Sequence, residues 1–174
     1  MSRSTSPNFS NLSDSEKEQK YLTFWSNDQL FGAPIADIVQ ITEMQEITRL
    51  PDFPAYVKGI ISLRGDVLPV IDIRLRMENP EVPYTKRSCI IIANIQDNQF
   101  GFITDAVGEV LGISQEQISS PPRLSDSAAH SYLSGIGRLE KEENKKRSVV
   151  LILDLPKLLD ESEFSTLAQA AQTE

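Results

Sequence analysis

Leu68-Pro69-Val70-Ile71-Asp72-Ile73 and Val150-Leu151-Ile152-Leu153-Asp154-Leu155 are two versions of one pattern: an apolar run closed by an aspartate and one more apolar residue. Runs of this kind read as strands. Working outward from them, three more landmarks recur in the same order. Gly59-Ile60 is echoed by Gly135-Ile136, Ile47-Thr48 by Ile118-Ser119, each ahead of a proline, and Phe31-Gly32 by Phe100-Gly101. From the first pair to the last, the offsets grow through 69, 71, 76 and 82 residues, as loop insertions in the second copy would cause. The sequence therefore implies a degenerate internal repeat and two similar all-β units of about five strands each. Units of roughly 65 residues bury little surface alone, so the two are expected to lean on each other across a shared apolar interface.

The rest of the chain fits around this pattern. Residues 1–18 are polar and Ser-rich and carry too few apolar groups to repay ordering, so a disordered tail is expected there. Tyr21-Leu22-Thr23-Phe24-Trp25, the turn residues Ser26-Asn27-Asp28 and the return from Gln29 to Pro34 read as a hairpin. Ile35, Ile38 and Ile41 follow at three-residue spacing, which suits a bent strand or a short helical turn equally. Glu43 to Lys58 reads as loop, broken by Pro51 and Pro54. Strands are expected at 59–63, 67–73, 88–95, 99–107, 109–113, 134–138 and 148–154. A helix is expected from Pro156 to about Ala171, with Leu158, Leu159, Phe164 and Leu167 on its inner face. One domain over 19–170 results, with subdomains at about 19–82 and 83–155 and the helix at about 156–171.

Composition narrows the function. A formal net charge of -8 argues against nucleic acid or anionic lipid as the main partner. No apolar run reaches the length of a membrane span, and no signal peptide is evident, so a cytoplasmic protein without direct membrane insertion is expected. The single cysteine, Cys89, lies in an apolar strand and reads as filler. The single histidine, His130, sits in a polar stretch and reads as a surface loop residue. Neither a metal cage nor a nucleophile–base pair can be assembled from these, and Gly135-Ile136-Gly137-Arg138 lacks the third glycine and the βαβ setting of a dinucleotide loop. No enzyme, metal or cofactor is expected. Asp72 and Asp154 hold matching repeat positions at strand ends, where capping is the natural role.

Binding features are more promising. Ile35, Ile38 and Ile41 present an apolar ridge, unless they are core. Arg64 precedes a turn glycine, and its guanidinium must be solvated or held by an acceptor. An arginine beside an apolar ridge is a common hot-spot pairing, with an ordinary surface salt bridge as the competing reading.

The chain resembles the CheW family. The resemblance rests on Tyr21-Leu22-Thr23-Phe24, Phe31-Gly32, Ile47-Thr48-Arg49-Leu50-Pro51, Val57 to Gly65, and Pro69 to Arg74. It continues through Phe100-Gly101-Phe102, Asp105 to Leu111 and Tyr132 to Gly137, and so spans Tyr21 to about Leu167. It implies two packed five-stranded SH3-like β-barrels with a C-terminal helix. It implies a non-catalytic adaptor that couples the cytoplasmic tips of chemoreceptors to the regulatory domain of the histidine kinase CheA. The receptor groove carried over from the family comprises Leu22, Ile35, Ile38, Ile41 and Val107, with Arg64 at its edge and Gln40 beside it. Kinase contacts are implied only regionally, at barrel ends and loops. Three departures stand out. Gln40 replaces a common acidic residue that would pair with Arg64, Ser62 replaces an asparagine, and Glu140 to Ser148 is longer than the usual hairpin and is expected to be a mobile charged loop. The same resemblance admits an adaptor of a pilus or gliding array. A small-molecule-binding β-barrel sensor is the reading from outside the family.

Overall fold

The computed structural model describes residues 18–120, 132–139, 148–159 and 161–172. The first repeat supplies β1 (Gln19–Ser26), β2 (Gln29–Pro34), β3 (Ile38–Glu43), β4 (Val57–Leu63), β5 (Asp66–Asp72) and the short helix α1 (Ile73–Arg76). The second supplies β6 (Cys89–Ile95), β7 (Asn98–Thr104), β8 (Ala106–Ile113), the two-residue β9 (Ile118–Ser119), β10 (Leu133–Leu139) and β11 (Ser148–Leu153). A 3-10 turn (Leu155–Leu158) and helix α2 (Glu161–Gln172) follow. The fold is all-β, with two packed SH3-like units. The expected tail lies outside the described residues except for Glu18, and so do His130 and residues 140–147 of the expected charged loop.

The strands form two sheets, in the orders β8-β1-β2-β11-β10-β9 and β3-β6-β7-β5-β4. The orders correspond element by element, with one exchange: hairpin β1–β2 of the first repeat sits among strands of the second, and hairpin β6–β7 sits among strands of the first. Residue 82 therefore divides the repeats but not the sheets. Chain geometry requires this. Within its own repeat, β3 would have to lie parallel to β2, and a parallel return needs a dozen or more residues. Only Ile35–Asp37 separate β2 from β3, and only Asp105 separates β7 from β8. Each hairpin must therefore cross to the other unit.

Register confirms the repeat. β11 runs parallel to β2 with Ile152 opposite Gly32, and β5 runs parallel to β7 with Val70 opposite Gly101. Thr48 bridges Ile60 as Ser119 pairs with Ile136. The Asp72 amide donates to Tyr56 O and the Asp154 amide to Tyr132 O, both at 2.8 Å. Gly59, one of the repeat landmarks, has φ 142°, and a Cβ there would stand 2.0 Å from Thr48 O, so no side chain is tolerated where that bridge crosses. The tips of β1–β2 and β6–β7 are two-residue turns with positive φ at both positions, Asn27-Asp28 and Gln96-Asp97, which matches the twist of a tight hairpin.

Alternation of side chains divides the interior into three cores. Ile90 and Ile92 point into one unit with Ile61, Leu68 and Val70. Tyr21, Ile113, Val150 and Ile152 fill the other. Leu22, Phe24, Phe31 and Ala33 meet Ile91, Ala93, Phe100 and Phe102 in a larger core shared between the units. Helix α2 covers part of it through buried Leu167 and through Phe164, whose ring centroid lies 5.3 Å from that of Phe100.

Polar contacts secure the junction. From α1, Arg74 Nη2 donates to Asp105 Oδ2 at 2.6 Å and Nη1 to Asn27 Oδ1 at 2.9 Å. Arg76 donates to Leu158 O and lies over the rings of Tyr56 and Tyr132, which are repeat counterparts. Asp72 accepts from Leu75 N and caps α1, while Asp154 makes no side-chain cap. The linker between the repeats is tied down by Lys58 to Glu81 at 2.6 Å and by Tyr84 Oη donating to Asp72 Oδ2 at 2.8 Å.

Two expected boundaries move. The break expected at Gly108 falls at Asp105, where the chain crosses between sheets. The helix expected from Pro156 begins at Glu161, because Leu159 adopts an extended φ of -117° after the 3-10 turn that buries Leu155 and Leu158.

Three outcomes are expected. A chain cut between Lys86 and Arg87 yields fragments that fold only when mixed, as read by circular dichroism; either fragment folding alone contradicts the exchange. Phe100→Ala costs about 3–5 kcal/mol in urea unfolding and keeps a single transition, because both units share the lost core. Although the Tyr84 side chain remains 37% accessible, partial burial first, and then the bond to Asp72, push its phenol above the ordinary value of 10.0. The folded chain then keeps a proton that the unfolded chain loses, so this stabilisation is intact below pH 10 and declines above it. Tyr84→Phe reduces that alkaline decline in unfolding curves; an unchanged decline contradicts the assignment.

Candidate functional site

β3 and β8 each form one edge of their sheets, with β4 and β9 at the other edges. Ile38 on β3 stands opposite Ala93, and Val107 on β8 stands opposite Phe24. By the repeat these are equivalent places, and both side chains rest half-buried on the shared core. An apolar side chain from each unit thus reaches the same core from an edge strand.

Around Ile38 the apolar surface is exposed. Ile35, in the 3-10 turn before β3, is 38% accessible, and Ile41 is 43% accessible. Val39 is 45% accessible and lies at a register shift between Ile38 and Gln40, so the edge strand bulges where it carries an outward valine. Three large apolar side chains in seven residues of this edge stand open to solvent and are not core. Val39 was absent from the expected groove. Its signal was strand alternation with Ile41, which the three-residue spacing of isoleucines masked.

Leu22 is placed differently from the expectation. It is 2% accessible and belongs to the shared core, between Ala33 and Val110 in register. The pleat of β1 turns Leu22 and Phe24 inward together, so Leu22 is packed in the shared core and not exposed at the edge.

Arg64 occupies the tip of the β4–β5 hairpin, with φ 55° followed by Gly65 at 87°, and is exposed. β3 and β4 are opposite edges of one sheet, and no hydrogen bond joins Gln40 to Arg64. Among the described residues, no ion pair or side-chain hydrogen bond holds either one, so both remain available. Met44, just past β3, and Leu63, next to Arg64, both pack on the core that Ile61, Leu68, Val70, Ile90 and Ile92 form inside this unit. Burial, above all, raises the thiol of half-buried Cys89 above its usual value, opposite to what a nucleophile needs.

Comparison with known proteins gives a consistent picture. The family model described as a CheW-like domain matches residues 20–163. The chain is 28% identical to the chemotaxis protein CheW of Klebsiella aerogenes over 155 residues, covering 89% of this chain and 90% of that one. It is 24% identical to protein FrzA of Myxococcus xanthus over 154 residues, covering 87% and 92%. The crystal structure of the scaffolding protein TtCheW from Thermoanaerobacter tengcongensis superposes with a TM-score of 0.71 at 32% identity, over 82% of this chain and 93% of that one. With its paired units, repeated strand order and this match across most of its length, the chain belongs to the family of CheW-like domains.

Proposed function

We propose that the chain is a non-catalytic adaptor that couples chemoreceptors to the histidine kinase CheA in bacterial chemotaxis, on the cytoplasmic side of the membrane. The observation that carries this is the exposed apolar edge of Ile35, Val39 and Ile41, continuous with Ile38 and backed by the shared core. A receptor's cytoplasmic tip is a helical hairpin. One of its helices would lie along this edge, with Ile38 and Val107 as the floor, Ile35 and Ile41 as flanking contacts, and Arg64 and Gln40 as polar contacts. Helix-in-groove recognition of this kind reads apolar anchors at one-turn spacing. The inward Leu22 sets the height of the floor. No described helix is long and apolar enough to cross a membrane, so association with receptors would run through protein contacts.

Co-sedimentation with receptor signalling tips and CheA tests the coupling. Ile41→Asp lowers receptor binding by about 2 kcal/mol, some thirtyfold, with the circular dichroism spectrum unchanged because the side chain is already exposed. Arg64→Ala lowers it by a smaller factor and leaves the fold intact. Full binding by both variants places the receptor contact elsewhere. A wild-type chain that neither co-sediments nor alters kinase activity removes the adaptor role altogether.

A further inference from the structure

The chain's only tryptophan, Trp25, is 40% accessible on β1 and lines an open cleft of about 840 Å³ between the β1–β2 tip, the crossing at Asp105 and the linker between the repeats. None of Leu22, Ile35, Ile38, Gln40, Ile41, Arg64 or Val107 lines it, so it is separate from the proposed receptor contact. Its apolar lining continues from Trp25 to Val82 and Pro83 of the linker, and Val82 is itself exposed. A tryptophan left facing solvent beside other apolar groups is an anchor type enriched in protein interfaces.

Charge says what fits beside it. Arg74 also lines the cleft, but Asp105 and Asn27 already satisfy its terminal nitrogens. Lys86 and Arg87 line it too, both exposed, and among the described residues neither has a carboxylate partner. Asp28, at the hairpin tip, is the remaining carboxylate of the lining, which thus carries three cations (Arg74, Lys86, Arg87) against two carboxylates (Asp28, Asp105). On a chain with 25 acidic and 17 basic residues, two adjacent cations without acid partners beside an exposed indole form a local reversal of sign.

We infer that this cleft docks a short acidic segment of a partner protein, with one apolar or aromatic side chain against Trp25 and Val82 and carboxylates on Lys86 and Arg87. The inference stands apart from the receptor reading, since it uses other residues and another ligand chemistry.

The test uses the full chain and a dye-labelled, end-capped peptide, Asp-Glu-Phe-Glu-Asp, with its Asn/Gln counterpart as control. Binding is read by anisotropy and located by the emission of the sole tryptophan. The acidic peptide is expected to bind and shift Trp25 emission. The affinity should fall about tenfold in the K86E/R87E variant and fall again as salt rises. Both sites are exposed, so circular dichroism should be unchanged. No binding of the acidic peptide, equal binding of the neutral one, or full affinity in K86E/R87E overturns the inference. So does a Trp25 shift on vesicles of phosphatidylglycerol without one on the peptide, which would make the surface a lipid contact.

Discussion

The exchange of two hairpins across one apolar core governs the rest of the molecule. Because β2 is tied to β3 by three residues and β7 to β8 by one, neither hairpin can return to its own repeat. Each sheet is completed by strands of the other half, and neither unit can close alone. The core between them, with Phe24, Phe31, Phe100 and Phe102 at its centre, is an obligatory interior rather than a contact between two finished domains. Separating the units would expose that core and break both sheets at once, so the angle between them is fixed by the same interactions that hold the fold.

That fixed angle gives the edge strands their meaning. β3 and β8 each end a sheet, and each rests one side chain on the shared core. A partner lying there would meet a rigid apolar floor, with Ile35, Val39 and Ile41 beside it at no further ordering cost. Another part of the junction is closed by the chain itself. Arg76 spans the two equivalent tyrosines, Tyr56 and Tyr132, and α2 lays Phe164 and Leu167 over the core. Arg76 and α2 thus cover part of the shared core, while Ile35, Val39 and Ile41 around Ile38 stay exposed.

Much of this was legible in the sequence. The four landmark pairs gave the repeat, and in the structure they fall at matching points of strand pairing, because glycines and aspartates recur where backbones cross closely. The exchange was legible in principle from link length, but pairing partners are not a local property, so strand patterns alone suggested two sequential halves. Ile35, Ile38 and Ile41 looked ambiguous between turn and strand because they are both: the first lies in a 3-10 turn and the others in the strand after it. The same spacing hid Val39. Leu22 was carried over from the resemblance as a groove residue, and only the pleat of β1 shows that it faces the core. Pro156 lies in the first turn of a 3-10 segment, Leu155–Leu158, and not of the expected helix, because the chain extends at Leu159, where Leu158 and Leu159 are buried, before α2 begins at Glu161.

The most direct measurement is methyl-resolved NMR of the isoleucines and valines during titration with a receptor tip. Shifts should concentrate at Ile35, Ile38, Val39, Ile41 and Val107, while Ile90 and Ile92, inside one unit, stay still. Shifts confined to other surfaces, with those five methyl groups unmoved, would contradict a helix seated above the shared core.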